Sequence, residues 1–256
     1  MPRPRLWSAL CACSIVSAVS TNAFGATTSS TRSIVPDRPT AGDESLFGIT
    51  LTRTDTGESV TQIRTMRPTA HGWSTDLDDP HVQGGARINE GRRLEGNRKI
   101  VDLWFELQAF PVETIVSAFV YEARFPIYHD ASASLEASID VTDMDGDGAA
   151  IMPERSQAYV AHYNEFAGPA FGGLFPHGVL ASARSGSRMA EAYPAPGEFA
   201  PFPEDVVVTG ASATIVFRLS ANDHVHFRST YTVVPAPASV MLMLAGTASL
   251  MPRRRR

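Results

Sequence analysis

Residues 134–154 read SLEASIDVTDMDGDGAAIMPE, and the first half of this stretch decides the fold class. Its apolar residues stand at every second position: Leu135, Ala137, Ile139 and Val141. The residues between them are serine, glutamate or aspartate, so one face of the segment is apolar and the other is polar. A period of two is typical of a β-strand with one buried face. We therefore expect an antiparallel sheet with one side towards solvent.

The same alternation recurs along most of the chain. Five further stretches show it, centred on Ile49, Leu103, Phe119, Phe217 and Phe227. Polar or proline-containing turns separate two neighbouring pairs of these stretches, and each pair is expected to form a hairpin: Leu103 with Phe119, and Phe217 with Phe227. Strands without intervening helices favour an antiparallel β-sandwich or jelly-roll over a parallel sheet.

Two regions depart from strand alternation. Residues 67–97 are rich in Gly, Asp and Asn and show no regular period, which predicts a long surface loop. Residues 154–166 are the one segment that favours a short helix. The predicted fold is therefore mainly β, a single β-sandwich or jelly-roll-like domain over residues 43–233, with long loops and one short helix. An N-terminal signal helix and a C-terminal hydrophobic helix would flank it.

The second half of the opening stretch is the densest group of candidate ligands. It fits the pattern D-x-D-x-D-G-x₅-E, with Asp143, Asp145 and Asp147 at positions one, three and five, and Glu154 at position twelve. Clustered hard oxygen ligands favour calcium over magnesium, so one Ca²⁺ is the expected cofactor. The preceding segment is strand-like and position eleven is proline, which favours a single strand-loop-helix calcium site over a paired EF-hand. A solvated acidic turn without an ion remains the alternative.

The remaining motifs give no catalytic residue. The sequence contains neither G-x-S-x-G nor H-E-x-x-H. His224 and His226 are two apart on a predicted strand, so their side chains should point the same way and could bind a transition metal with a third histidine. Exposed polar positions are the alternative interpretation of this pair.

The N-terminus has the pattern of an export signal. Arg3 and Arg5 precede an apolar run, and small residues near Ala23 follow it, which predicts a signal peptide over residues 1–25. Residues 26–42 are rich in Ser, Thr and Pro and predict a flexible lead-in. Both cysteines of the chain, Cys11 and Cys13, lie inside the predicted leader. The folded part is therefore expected to contain neither disulfides nor thiolate ligands.

The C-terminus has three parts in a fixed order. A short motif, Val234, Pro235, Ala236 and Pro237, precedes an apolar run that is shorter than the roughly 20 residues of a comfortable membrane span. Four basic residues end the chain: Arg253, Arg254, Arg255 and Arg256. Together these parts resemble the PEP-CTERM sorting signal of exported bacterial proteins, as a Val-Pro-Ala-Pro variant. The resemblance implies that an exosortase-type membrane enzyme recognises and removes residues 234–256 after transient insertion into the inner membrane.

Loss of both terminal segments would change the charge of the protein. They contain six basic residues and no acidic residue, so the formal charge would change from −5 to −11. A domain this acidic is expected to bind no nucleic acid.

The resemblance implies an exported cell-surface or extracellular-matrix protein. The expected processing partners are the export signal peptidase and an exosortase-type enzyme, and the expected ligands are exopolysaccharide or matrix proteins. We expect no catalytic activity. Two alternatives remain: a secreted polysaccharide-acting hydrolase on a jelly-roll scaffold, and a permanently tail-anchored surface protein.

Overall fold

The computed structural model describes residues 45–70, 72–79, 82–90, 98–122 and 127–235. These residues form strands and turns, with no helix among them. The strands are β1 (Leu46–Arg53), β2 (Ser59–Thr65), β3 (Arg67–Thr69), β4 (Gly72–Asp79), β5 (Val82–Glu90), β6 (Lys99–Gln108), β7 (Thr114–Glu122), β8 (Ser132–Thr142), β9 (Ala149–Pro153), β10 (Tyr159–Tyr163), β11 (Ala170–Leu174), β12 (Val179–Ala181), β13 (Gly186–Tyr193), β14 (Ala200–Pro201), β15 (Ala211–Leu219) and β16 (His224–Val234).

The strands form two antiparallel sheets. The first sheet has the order β11-β10-β15-β7-β1-β2, with β9 paired to β15 and β12 paired to β9. The second sheet has the order β13-β8-β16-β6-β5-β4-β3, with β14 paired to β8. This arrangement confirms the mainly β, antiparallel prediction and is consistent with a β-sandwich.

Alternating burial builds the core between the sheets. In β8, the residues Leu135, Ile139 and Val141 are completely buried, as their spacing predicted. The Phe105 ring of the second sheet stacks on the Phe217 ring of the first, with centroids 6.3 Å apart. Apolar side chains from both sheets thus meet in one hydrophobic core.

An ion pair lies inside this core. Lys99, at the start of β6, places its Nζ 3.2 Å from Oε1 of Glu122, at the end of β7. Their side chains are only 2 % and 0 % exposed. Because β6 and β7 belong to different sheets, this pair connects the two layers. A buried charge of either sign is costly without its partner.

Both hairpin predictions are wrong. The strands β6 and β7 belong to opposite sheets, and so do β15 and β16. The chain crosses between the layers through residues 109–113 and again through residues 220–223. These crossing links lie side by side, since the Ala109 N–H donates to the Asp223 carbonyl at 2.8 Å and the Asn222 N–H donates to the Phe110 carbonyl at 2.9 Å. The alternation of apolar and polar residues predicts each strand. It is the same for two strands joined as a hairpin within one sheet and for two strands joined across opposite sheets.

The predicted long loop over residues 67–97 is also corrected. Within it, β3, β4 and β5 form the end of the second sheet. The residues Leu77, Val82 and Ile88 are buried there. The alternation of buried and exposed residues is hard to see in the sequence of this segment. Glycine occupies both inward and outward positions, and aspartates stand on the outer face of β4.

The predicted helix over residues 154–166 is absent from the described structure. Its central residues form β10 instead, paired with β11 and β15. Tyr159, Ala161 and Tyr163 are buried, whereas Val160 and His162 between them are half-buried. Burial at every second position is the pattern of a strand and not of a helix.

The two predicted flanking helices fall outside the described residues, as do the predicted signal peptide and lead-in. Of the predicted sorting tail, only Val234 and Pro235 are described, and Val234 is the last residue of β16. No described helix is long and apolar enough to cross a membrane.

The ion pair gives the first prediction. Replacing Lys99 with methionine removes the cation that lies 3.2 Å from the buried Glu122 carboxylate, and we expect the free energy of unfolding to fall by about 3–5 kcal/mol. Urea denaturation measures the change. The double variant Lys99→Met, Glu122→Leu removes both charges and should regain most of the lost stability. Equal instability of the single and double variants would contradict this account.

Candidate functional site

The aspartate loop, residues 143–148, connects β8 to β9. Its two glycines adopt positive φ angles, 95° at Gly146 and 101° at Gly148. Residues with a Cβ rarely adopt such angles, so the glycines permit the tight turn that folds the loop back on itself. This turn brings the aspartate side chains to one side of the loop.

Asp143 closes the loop through its carboxylate. Its Oδ1 accepts hydrogen bonds from the backbone N–H groups of Asp145 at 3.2 Å and Gly146 at 2.8 Å. Its Oδ2 accepts a hydrogen bond from the N–H of Arg184. These donors, with the Arg184 N–H foremost, lower the pKa of Asp143 below its ordinary value. The first aspartate is therefore held in its charged form.

The other two aspartates influence each other. The Asn222 side-chain amide donates to Oδ2 of Asp145 at 2.9 Å and is the main reason why the pKa of Asp145 is lowered. The pKa of Asp147 is raised, because its carboxyl group hydrogen-bonds to Asp145 and lies in the field of that negative charge. A cation between the carboxylates would relieve this repulsion.

One oxygen from each of Asp143, Asp145 and Asp147 lies within 4.8 Å of the other two. Among the residues that the structure describes, no other group of three His, Cys, Asp or Glu side chains meets this condition. Carboxylate oxygens at this spacing are the ligands that Ca²⁺ prefers. Three of the four predicted ligands are thus brought together.

The fourth predicted ligand, Glu154, lies elsewhere. Its carboxylate pairs with the guanidinium of Arg218 on β15, and that guanidinium also lies 3.4 Å from Glu113. The five residues between the aspartate loop and Glu154 form β9, and an extended segment of that length spans roughly 16 Å. In an EF-hand, a helix returns the residue at position twelve to the ion. Here the residues before Glu154 form the strand β9, so Glu154 lies away from the three aspartates. Pro153 was the residue in the sequence that indicated this difference from an EF-hand.

The aspartate loop is hydrogen-bonded to the second crossing link, residues 220–223. The Met144 N–H donates to Oδ1 of Asp223 at 3.2 Å, and the Ser220 hydroxyl donates to Oδ2 of the same carboxylate. Asp223 is completely buried. The Ser220 hydroxyl oxygen also accepts a hydrogen bond from the Ala150 N–H at 2.7 Å. These contacts fix both ends of the loop against the sandwich.

The histidine pair faces the outside of the second sheet, as predicted from its spacing. His224 Nε2 lies 3.1 Å from a carboxylate oxygen of Glu106, and His226 Nδ1 lies 3.5 Å from one of Asp140. Within the described ranges, no third histidine joins them in a metal-binding group. Both histidines thus lie at polar positions of the outer face, each beside a carboxylate.

The outer face of the second sheet carries residues that no catalytic or metal motif of the sequence indicates. Trp104 stands between the buried residues Leu103 and Phe105 on β6, so its indole must point outward. Arg87 on β5 and Arg228 on β16 share this face through strand pairing. The sequence did contain an indication of this face. Trp104 stands among the polar, outward-facing positions of β6, and an aromatic side chain at such a position is not part of the core.

The comparisons with known proteins add no family. No protein-family model matches the chain, and no curated protein matches it.

The buried carboxylate gives the second prediction. Replacing Asp223 with alanine leaves the Met144 N–H and the Ser220 hydroxyl without their acceptor, and unfolding should become easier by about 1–3 kcal/mol. Asp78→Ala removes an exposed aspartate of β4 and should change stability by less than about 0.5 kcal/mol. Chemical denaturation of both variants makes the comparison. A loss no larger for Asp223→Ala than for Asp78→Ala would show that this carboxylate does not hold the crossing link.

Proposed function

We propose that the chain is an exported bacterial protein of the cell surface or extracellular matrix, without catalytic activity, sorted through residues 234–256. The observation that supports this most is the position of the candidate signals. The described strands run from β1, which begins at Leu46, to β16, which ends at Val234. In the sequence, both segments that resemble export signals therefore lie before β1 or after Val233 of β16, where removal leaves the described core complete.

The junction with the tail fits this proposal. Val234 pairs with Ser132 of β8 and is the last strand residue before Pro235. Proline lacks a backbone N–H and cannot donate to a sheet, so it separates the sandwich from the following segment. An exosortase-type enzyme could act beyond this point without breaking a described strand pair. Removal of residues 1–25 by a signal peptidase would likewise break no described strand pair.

We further propose that the aspartate loop binds one Ca²⁺ that braces the end of the sandwich. Asp143, Asp145 and Asp147 would supply the carboxylates, and Glu154 would not take part. The geometry supports this assignment, because one oxygen from each carboxylate lies within 4.8 Å of the other two. The hydrogen bond to Asp145 and the negative charge of that residue raise the pKa of Asp147, and a divalent cation would offset this charge repulsion. The ion would have a structural role, since it would tie the loop to the crossing link.

Calcium binding gives the third prediction. A ligand that binds only the folded state stabilises it by mass action, so Ca²⁺ should raise the thermal midpoint of the full chain relative to excess chelator. At a free Ca²⁺ concentration of 100 times the dissociation constant, the gain should be about 2.7 kcal/mol. Asp145→Asn removes a ligand charge and should abolish most of the shift. Midpoints that are the same with Ca²⁺ and chelator would remove the ion from this proposal.

Glu154→Gln is the matched control for that experiment. It removes the same charge from the same sequence motif, but from a residue that pairs with Arg218. We expect it to leave the calcium-induced shift unchanged, although it will lower the midpoint under both conditions. Loss of the shift in Glu154→Gln would mean that the loop closes on calcium as an EF-hand does.

Sorting gives the fourth prediction. In a bacterial host with an exosortase, the mature protein should begin after the leader and lack the four terminal arginines, as measured by mass spectrometry of intact protein from the cell surface and medium. In the same host without the exosortase, the protein should retain Arg256 and fractionate with the inner membrane, because the apolar run remains attached.

Replacing the four terminal arginines with glutamine should also prevent processing, because the positive end that orients the tail is lost. Arg64→Gln, a change at an exposed arginine of β2, is the control and should be processed normally. A mature product that retains Arg256 in the exosortase-containing host would favour the permanently anchored alternative. Recovery of the chain from the cytoplasm alone would overturn export.

A further inference from the structure

The strand β2 forms an open edge of the first sheet. Among the strands that the structure describes, β2 pairs with β1 alone. None of its seven residues is buried, and the apolar side chains of Val60 and Ile63 are 55 % and 48 % exposed. An open strand edge presents a row of backbone N–H and C=O groups to which a further strand can add.

The other edges among the described strands are short or covered. β3 and β12 have three residues each, and β3 contains Pro68, which has no N–H to donate. On the side of the sandwich away from β2, the edges β11 and β13 lie against each other. The Phe175 N–H, next to β11, donates to the Glu191 carboxylate of β13, and the Tyr193 ring packs on Gly172. Within the described ranges, β2 is therefore the long edge that lacks protection against strand addition.

The pairing of β2 with β1 determines which backbone groups face the open edge. The Met66 N–H donates to the Ser45 carbonyl and the Arg53 N–H donates to the Glu58 carbonyl, each at 2.9 Å. Both bonds join residues that stand opposite each other in the β1–β2 register. Because hydrogen-bonded pairs occur at every second residue of an antiparallel ladder, the even-numbered residues of β2 direct their backbone groups to β1. The residues that face the open edge include Ser59, Thr61 and Ile63.

The charged side chains beside this edge are complementary to themselves. Glu58 and Arg64 lie on the same side of the sheet, since they are an even number of residues apart on one extended segment. Both are exposed, and neither forms an ion pair with another described residue. Each is three residues from Thr61. In an antiparallel pairing of two copies with Thr61 opposite Thr61, Glu58 of each copy therefore stands opposite Arg64 of the other.

We propose that β2 pairs antiparallel with β2 of a second copy of this chain, about a two-fold axis at Thr61. The first sheets of the two copies then form one continuous sheet. Thr61 exchanges backbone hydrogen bonds with its counterpart, and Ser59 does so with Ile63 of the second copy. Because an isologous contact repeats each interaction, two ion pairs between Glu58 and Arg64 flank the axis.

The charges select both the partner and the register. Sliding one strand by two residues keeps the backbone bonding pattern but moves Glu58 away from Arg64, so both ion pairs are lost together. A second copy is favoured over a foreign strand because one segment supplies both members of each ion pair. The inference is independent of the proposed sorting and of calcium binding.

Cysteine cross-linking of the purified full chain tests this register. All variants carry Cys11→Ser and Cys13→Ser. Thr61→Cys places two thiols across the axis, where the Cα atoms of a hydrogen-bonded pair lie about 5.5 Å apart, a distance that a disulfide spans. Mild oxidation with copper phenanthroline should therefore give a covalent dimer on a non-reducing gel.

Ser59→Cys is the matched control for position. Its counterpart in the second copy lies four residues away, roughly 13 Å along the strand, so it should form little covalent dimer by itself. Ser59→Cys combined with Ile63→Cys should regain the cross-link, because these two positions are opposite each other in the proposed register. Equal cross-linking of Thr61→Cys and Ser59→Cys would overturn the register and with it the proposal.

Charge exchange tests the ion pairs, with the initial rate of Thr61→Cys cross-linking as the readout. Adding Glu58→Arg places arginines opposite each other at two contacts and should slow cross-linking roughly tenfold. Glu58→Arg together with Arg64→Glu reverses both charges and should return the rate to that of Thr61→Cys. Glu198→Arg, the same change at an exposed glutamate between β13 and β14, should leave the rate unchanged.

Thermal midpoints establish that each variant is folded. Folded Thr61→Cys that gives no covalent dimer would overturn the proposal, as would a Glu58→Arg variant that cross-links as fast as its Glu198→Arg control. Either result would leave sorting through the tail and calcium binding unaffected.

Discussion

The buried residue Asp223 joins three segments at one end of the sandwich. Its two carboxylate oxygens accept hydrogen bonds from the Met144 N–H of the aspartate loop and from the Ser220 hydroxyl of its own crossing link. Its backbone carbonyl accepts the Ala109 N–H of the other crossing link. A buried carboxylate is tolerated only with such partners, so the two crossings and the aspartate loop hold their positions together. Both links that carry the chain between the two sheets are thus joined to each other at this end of the sandwich.

That arrangement separates the candidate sites by physical role. The aspartate loop lies where the chain turns, and its carboxylates are held by backbone donors and by Asn222 of the crossing link. On the outer face of the second sheet, away from the core, the Arg87 guanidinium lies over the Trp104 ring. In the sequence, one candidate export signal precedes β1 and the other follows Val233 of β16. A cation at the aspartate loop could therefore stabilise the fold, and the tail could be removed without disturbing that loop.

Much of the fold was predictable because a strand with one buried face has a period of two. The inward residues of β8 follow it, and so does the outward direction of His224 and His226. Strand pairing was not predictable in the same way, since β15 and β16 alternate identically whether they form a hairpin or cross between sheets. The segment 67–97 was misassigned because glycines and aspartates hide the period. In the candidate site, the three aspartates could be predicted from local spacing, but the place of Glu154 depended on whether β9 was extended.

The sequence by itself determined the strand character of the chain, the aspartate loop and the pattern of the two terminal segments, because each depends on residues that are neighbours along the chain. Only the tertiary structure decided that Lys99 meets Glu122, that Arg218 holds Glu154 away from the aspartates, and that Trp104, Arg87 and Arg228 share one face. These contacts join residues from strands far apart in sequence. Their geometry is set by how two sheets bury their apolar faces against each other, a long-range constraint that no local pattern contains.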